Sequence, residues 1–465
     1  MLKKKWFDNI LDLSIFILII FAPLAIGCVH IWAYSLLEIS IYILLIFWLY
    51  YLITNGKSLY LEKYISYIYI STSAFLILLI FQVIPLPLSI IEYLSPKAYL
   101  LYTKVFSENT EKMYFTISLY PYASKNELMK FVAYFAIFFL IIQEIQSRKR
   151  IQKIIMAIFI VAVIEAFLGI YALFTNNWIF EKFFNSIQGS SGTYVNRNHL
   201  SGLLGMTLPL GISYLIYNFI SFNSTAINMK QKIIEFINSK DGTKNTVVLI
   251  LVLILFMGII ATKSRMGIFS ALASILFIAG FWITQGKKKQ AALVIYIIFI
   301  AALLTLWISI EPLTERYSKS IENFNYLRAI LWEKTWDLFI DFKYFGAGFG
   351  TYEHLFRHYV PEESIARILF VNHAHNDYLE FLASGGIILN LPIAMAFVIF
   401  NYSIIKKLSK TKSNFTKSFT SGGLASIVYI LLHSITDFNM QIPANAFIFS
   451  VILAITYKTA DEPKK

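Results

Sequence analysis

The sequence predicts an all-α integral membrane protein, a polytopic bundle of about twelve transmembrane helices forming a single domain over 1–465. Of its 465 residues 58% are hydrophobic and only 14% are charged, whereas a soluble domain carries about 25% charged residues. The apolar residues come in blocks of roughly 15–24, long enough to cross a ~30 Å hydrocarbon core as helices. An outer-membrane barrel is excluded, because its strands alternate in segments of about 10 residues.

Hydropathy predicts twelve transmembrane spans. The first block follows Lys3–Lys5 and is interpreted as a retained helix, since no small-residue cleavage site follows it. A single cysteine, Cys28, excludes an internal disulfide and a Cys-x-x-Cys motif. The spans are 11–28, 33–54, 67–86, 127–145, 151–174, 199–221, 245–261, 266–284, 291–309, 376–404, 421–437 and 442–457.

The basic residues predict the orientation. If the N-terminus is cytoplasmic, every second connection holds a basic cluster, such as Arg148–Lys153 and Lys287–Lys289. The positive-inside rule then places both termini in the cytoplasm. The net charge of +13 is therefore attributed to topology and to attraction for anionic lipid headgroups, and no nucleic-acid partner is expected.

Three external segments exceed simple turns: 87–126, 175–198 and 310–375, the last a long periplasmic loop containing short helices. The spacing Ser124–Glu127 predicts a capping box that opens the fourth span. In the third segment, Tyr326–Asp341 has the helical period of a surface helix. The glycine-rich stretch Phe345–Gly350 that follows lacks the Lys-Ser/Thr of a P-loop, so a nucleotide site is rejected.

Several ionisable side chains fall at the external ends of spans, where each is costly and therefore a functional candidate. An isolated arginine there is more often a snorkelling anchor, and an isolated histidine a satisfied polar residue. Together they suit one chemistry, because the guanidinium fork binds diphosphate oxygens and a neutral histidine abstracts a hydroxyl proton. The candidates are Arg197, Arg265, His373, His375 and Asp437, with His433 one turn deeper.

Two other interpretations stay open. His354 and His358 at i, i+4, with His373 and His375, could ligate zinc, but no cysteine lies nearby and no His-Glu-x-x-His pattern exists, so no metal is predicted. Glu38 and Glu165 lie inside spans. We favour pairing within the bundle for both, although buried carboxylates of this kind are the best support for a transporter.

Five motifs together resemble the O-antigen ligase and polymerase superfamily of bacterial polysaccharide assembly. Their order and spacing carry the resemblance, which covers about 190–445. The motifs are Tyr194–Gly202, Ser264–Gly267, Gly346–Gly350, His373–Glu380 followed by Gly385-Gly386, and His433–Asn439.

The resemblance implies a fold of the C-type glycosyltransferase class in the bacterial inner membrane. Members move a glycan from an undecaprenyl diphosphate carrier to an acceptor on the periplasmic face, with neither metal nor nucleotide cofactor. It implies that Arg197 and Arg265 hold the diphosphate, with Arg328 a weaker candidate. His375 or His373 would be the base; we favour His375, which directly precedes Asn376. The supporting residues are Asn376, Asn198, His199 and Asp437.

A ligase and a polymerase differ in the acceptor that receives the glycan. A ligase, the favoured prediction, transfers the glycan to lipid A–core, and a polymerase extends a growing lipid-linked glycan. A polysaccharide or lipid transporter is the third hypothesis. It is disfavoured because transporters place ionisable residues near the membrane midplane, whereas most of those here lie at one face.

Overall fold

The computed structural model describes residues 2–106, 113–175, 191–222, 228–239, 242–288, 290–292, 294–296, 321–360 and 371–463. The described chain is helical apart from two short strands, β1 (Leu86–Pro87) and β2 (Tyr114–Phe115), which pair antiparallel. The predicted all-α class is confirmed. The helices are α1 (Leu2–Leu24), α2 (Ile31–Thr54), α3 (Lys63–Val83), α4 (Leu88–Leu94), α5 (Pro96–Val105), α6 (Pro121–Glu144), α7 (Arg148–Thr175), α8 (Arg197–Ser221), α9 (Met229–Ile237), α10 (Gly242–Ala261), α11 (Arg265–Thr284), α12 (Ile321–Asp341), α13 (Tyr352–Phe356), α14 (Asp377–Leu408), α15 (Asn414–His433) and α16 (Pro443–Ala460).

The described residues contain 11 helices long and apolar enough to span a membrane, so the prediction of a multi-pass membrane protein is confirmed. These helices correspond to all the predicted spans but one. The ninth predicted span, 291–309, falls almost wholly outside the described residues.

Three helices form the centre of the bundle. In the most apolar 18 residues of α8, α15 and α16, 83%, 78% and 83% of the residues are buried, compared with 22% in α3 at the periphery. Hydroxyl groups tie α15 to α8: Ser426 Oγ donates to the Met206 carbonyl at 2.6 Å, and Tyr429 Oη donates to the Ser201 carbonyl at 2.7 Å. Such interhelical hydrogen bonds from small and polar residues are typical of packing within membranes. The ends of these central helices carry Arg197, Asn198, His199 and His433, and Asp437 lies in the connection between two of them.

Helix α14 is interrupted in its third turn, at Gly386, whose φ is +61°. The glycine-rich stretch supplies replacement hydrogen bonds: the Ala347 N–H donates to the Ala383 carbonyl, and the Ile387 N–H donates to the Lys343 carbonyl. The approach is close enough that a Cβ on Gly346 would lie 2.1 Å from the Ser384 carbonyl oxygen. The backbone of the glycine-rich stretch is therefore bonded to the first turns of α14, which directly follow His375 and Asn376.

One local prediction is wrong and one is confirmed. Ser124 does not cap α6, which begins at Pro121; its hydroxyl donates instead to the Phe349 carbonyl at 2.7 Å. Proline at the first helical position starts the helix one turn earlier than the capping-box pattern indicated. The predicted surface helix is α12, and its residues Leu331 and Leu338 are buried against the bundle.

Candidate active site

Three side-chain caps start the helices that bear the candidate residues. Asn196 Oδ1 accepts from the Asn198 N–H, Ser264 Oγ accepts from the Gly267 N–H, and Asn376 Oδ1 accepts from the Leu379 N–H. Asn, Ser and Asp are favoured at this position because their oxygens satisfy the free N–H groups of the first turn. Arg197 and Arg265 are consequently the first residues of α8 and α11. Of the predicted supporting residues, Asn376 caps α14 with its side chain, whereas Asn198 contributes only its backbone N–H to the cap that Asn196 forms.

Asp437 lies at the centre of the cluster, in the connection between α15 and α16. It is 1% exposed, and its Oδ1 lies 3.6 Å from His199 Nε2 and 3.6 Å from His375 Nδ1. Burial would raise the pKa of this carboxyl, but the two histidines outweigh burial and hold it well below its usual value. Asp437 is therefore an ionised carboxylate that two histidines from different parts of the chain approach together.

The ring of Phe438 packs against the rings of His373, His199 and His375. Its centroid lies 4.3 Å from that of His373, 4.5 Å from that of His199 and 4.8 Å from that of His375. The His373 ring is stacked on it, and the other two meet it nearly edge-on. A residue that sequence reasoning did not single out thus fixes the orientation of all three imidazoles.

His373 has its own carboxylate partner. Its Nδ1 lies 2.8 Å from Glu380 Oε1, while Glu380 Oε2 accepts from the Ala374 N–H at 2.8 Å. Burial would lower the pKa of His373, but the charge and the hydrogen bond of Glu380 more than offset burial and raise it above its usual value. Sequence reasoning missed Glu380. The signal was its position seven residues after His373, in the first turn of α14.

His375 occupies a constrained backbone position, with φ of +50°. Left-handed backbone is uncommon in residues other than glycine and persists where neighbouring structure holds it. The first turn of α14, which follows His375, is hydrogen-bonded to the end of α15. The Asp377 N–H donates to the Ser434 carbonyl, and Ser434 Oγ donates to Asp377 Oδ2 at 2.7 Å. These bonds hold the His375 side chain in place beside Asp437.

Arg328 brings α12 to the same cluster. Its pKa is lowered, first by burial and also by the positive charge of Arg265, while the charge of Asp437 acts in the opposite direction. The charges of Arg265 and Asp437 therefore both act on the Arg328 guanidinium. Arg265, Arg328, His375 and Asp437 thus belong to one cluster. His199, two residues after Arg197, is part of the same cluster.

A buried polar network lies beneath the cluster. His433 is fully buried, with Nε2 3.5 Å from Ser264 Oγ and Nδ1 3.3 Å from Tyr429 Oη. Asn439 Nδ2 lies 3.2 Å from the same Nδ1. Because Ser264 precedes Arg265, this network fixes the position of the short hairpin that carries the arginine.

The alternative residues fall elsewhere. The ring of His354 packs against the ring of Tyr120, with the two centroids 4.7 Å apart. In the described part of the chain no group of three or more His, Cys, Asp and Glu side chains is arranged to hold a metal ion. Glu165 is fully buried, and its carboxylate accepts hydrogen bonds from the Thr193 N–H at 2.9 Å and the Thr193 hydroxyl at 2.5 Å. Its partner is thus a threonine in the loop that leads to Arg197.

Comparison with known proteins agrees with the motifs. Residues 250–394 match the O-antigen ligase family. The chain is also 26% identical over 238 residues to the teichuronic acid biosynthesis protein TuaE of Bacillus subtilis (strain 168), a match that covers 47% of this chain. The match covers 45% of the length of that relative, so the chain spans about half of it. The resemblance to the O-antigen ligase and polymerase superfamily, predicted from the motifs, is therefore confirmed.

Proposed function

We propose that this protein is a membrane glycosyltransferase of polysaccharide assembly, which moves a glycan from an undecaprenyl diphosphate carrier to an acceptor hydroxyl. One observation carries the proposal: histidines paired with carboxylates lie near arginines at one end of a membrane helix bundle, partly inside the matched region. The reaction needs a base for the acceptor and positive charge for the departing diphosphate, and this cluster supplies both.

In the proposed mechanism, His375 accepts the proton of the acceptor hydroxyl while the oxygen attacks the anomeric carbon. The bond from that carbon to the diphosphate oxygen breaks, and the electron pair leaves with undecaprenyl diphosphate. A single displacement inverts the anomeric configuration. Asp437, 3.6 Å from His375 Nδ1, stabilises the imidazolium that forms, because a nearby carboxylate favours the protonated histidine.

Arg197 and Arg265 bind the diphosphate in this proposal, with Arg328 in support. The guanidinium group presents paired N–H donors that match phosphate oxygens, and it remains charged throughout the reaction. As the first residues of α8 and α11, the first two also lie at helix N-termini, which favour anions. Charge stabilisation of the leaving group is the contribution that a divalent metal would otherwise supply.

The acceptor of the transferred glycan distinguishes two candidate functions, ligation and polymerisation. We favour ligation to lipid A–core as the acceptor chemistry, on the periplasmic side of the inner membrane, where the positive-inside rule predicts this end of the bundle to lie. Polymerisation of a growing lipid-linked glycan is the second candidate, because the relative TuaE takes part in teichuronic acid biosynthesis by its name.

The test is transfer by the purified protein in detergent or nanodiscs. A defined undecaprenyl diphosphate oligosaccharide is supplied with either lipid A–core or a second lipid-linked oligosaccharide, in excess EDTA and without nucleotide. Product with lipid A–core alone supports a ligase, and elongated lipid-linked product supports a polymerase. Failure with both acceptors, or activity that EDTA removes and zinc or magnesium restores, would contradict the proposal.

A further inference from the structure

A second polar cluster lies on the neighbouring helices α2 and α6. We name it the acid–lysine cluster and define it as Tyr34, Glu38, Glu127 and Lys130. Lys130 Nζ lies 2.6 Å from Glu127 Oε1 and 4.9 Å from the centroid of the Tyr34 ring. Three charged side chains within membrane-spanning helices are costly to retain without a function.

Glu38 is the incompletely satisfied member. It is 8% exposed, and its Oε1 has no hydrogen-bond partner among the described residues. A buried oxygen without a donor is destabilising, whereas a hydroxyl group that reaches it recovers the lost hydrogen bond. The cluster is therefore arranged to receive a hydrogen-bond donor that the described chain does not itself supply.

The cluster borders the candidate active site. Phe131, one residue after Lys130, packs edge-on against Phe349 at 5.4 Å and against Phe381 at 6.1 Å, and Phe381 directly follows Glu380. The charge of Glu127 contributes to the raised pKa of His373. A molecule held by the cluster would therefore lie next to the His373–Glu380 pair.

We propose that the acid–lysine cluster binds a neutral sugar ring of the transferred or accepting glycan, an inference that rests on the proposed glycosyl transfer. Carboxylates accept charge-assisted hydrogen bonds from sugar hydroxyls, and the ammonium of Lys130 donates to a ring or hydroxyl oxygen. The Tyr34 ring offers an apolar face for the C–H groups of a pyranose. The Lys130 ammonium is already paired with Glu127 at 2.6 Å, so the cluster offers no unpaired positive charge to the carboxylate of a uronic acid, and a neutral sugar is favoured.

The experiment is saturation-transfer difference NMR on the detergent-solubilised full chain. The probes are the methyl glycosides of glucose, galactose, mannose and N-acetylglucosamine, with methyl glucuronoside as the anionic comparison. We expect saturation transfer to at least one neutral glycoside and less to the glucuronoside. In Glu38→Gln and in Glu127→Gln, affinity for that glycoside should fall by about tenfold or more, since hydrogen bonds to charged groups are being lost.

Two controls make the result specific. Glu92→Gln removes an exposed carboxylate of α4 and should leave binding unchanged. Arg265→Lys should also leave glycoside binding unchanged, because the probes carry no diphosphate, so a failed diphosphate site is distinguished from a failed sugar site. Each variant is compared with the parent by size-exclusion profile. Glu38→Gln, which breaks no ion pair closer than 4.0 Å among the described residues, serves if Glu127→Gln does not fold.

Three outcomes would overturn the inference. They are the absence of saturation transfer to every neutral glycoside, equal or stronger transfer to the glucuronoside, and full retention of binding in both glutamine variants. The last would mean that only water satisfies Glu38 Oε1.

Discussion

Arg150 and Asp437, two charged residues at opposite ends of the bundle, differ in the length of their contacts. At the end away from the candidate site, Arg150 Nε donates to Asp12 Oδ1 at 2.8 Å, and Arg150 Nη1 donates to the Glu144 carbonyl at 2.7 Å. At the site end, Asp437 meets His199 and His375 at 3.6 Å, beyond direct hydrogen bonding.

The difference separates a structural cluster from a reactive one. The Arg150 contacts are close to ideal length and join α1 to α7, so they stabilise the packing of two helices. The Asp437 contacts are long, as catalytic hydrogen bonds often are before substrate binds. Contacts of ideal length, such as those of Arg150, are typical of a structural role, whereas the long contacts of the buried Asp437 near a membrane surface are typical of a functional site.

The first prediction concerns which end faces the periplasm, and its effect is all-or-none. In a Cys28→Ala background, Tyr93→Cys, exposed on α4 near the site end, should react with an impermeant maleimide in cells with a permeable outer membrane. Ser409→Cys, exposed at the other end, should react only after the inner membrane is opened. The reverse labelling pattern would place the candidate site in the cytoplasm.

The second prediction tests the reactive cluster directly. His375→Ala should lower the transfer rate by about 10²–10⁴-fold, the usual cost of losing a general base, while binding of the lipid donor stays nearly intact. His373→Ala, the matched control two residues away, should cost much less. Rates and donor affinity are measured on purified variants with the same size-exclusion profile as the parent. If His373→Ala is inactive while His375→Ala retains activity, the base is His373.

The third prediction tests the structural cluster. Arg150→Ala leaves Asp12 without its bidentate partner, and losing one side of a largely buried ion pair destabilises by about 3–5 kcal/mol. We expect a lower thermal unfolding midpoint in detergent, with transfer activity per folded molecule unchanged. Lys149→Ala, an exposed neighbour, is the control. A normal unfolding midpoint together with lost activity would mean that Arg150 has a functional role, and the two ends of the bundle would then not differ in role.

The fourth and smallest effect concerns the His373–Glu380 pair. Glu380→Gln removes the charge that raises the pKa of His373, so His373 should lose its proton at a lower pH, as followed by NMR of the imidazole. A base acts when deprotonated, so the rate rises with pH through its pKa. With His375 as base, the rising limb of the rate profile should keep its position. A limb that moves to lower pH in Glu380→Gln would identify His373 as the base.

Much of the architecture is local and therefore readable from the sequence. A run of apolar residues of membrane-spanning length has to become a helix in lipid, because no other partner satisfies its backbone. All predicted spans within the described residues are found for that reason. The periodicity of Leu331 and Leu338 predicts the surface helix α12, and the motifs alone indicate Arg265, His375 and Asp437.

Tertiary structure decided how those residues meet. The contact of His199 with Asp437, the pairing of His373 with Glu380, and the approach of α6 to the glycine-rich stretch depend on packing between distant segments. The capping-box prediction at Ser124 is wrong for the same reason, since that hydroxyl bonds to Phe349 rather than to its own helix. The spacing of residues in the sequence determines which side chains share a helix face. Which side chains from other helices contact that face is determined by the packing of whole helices.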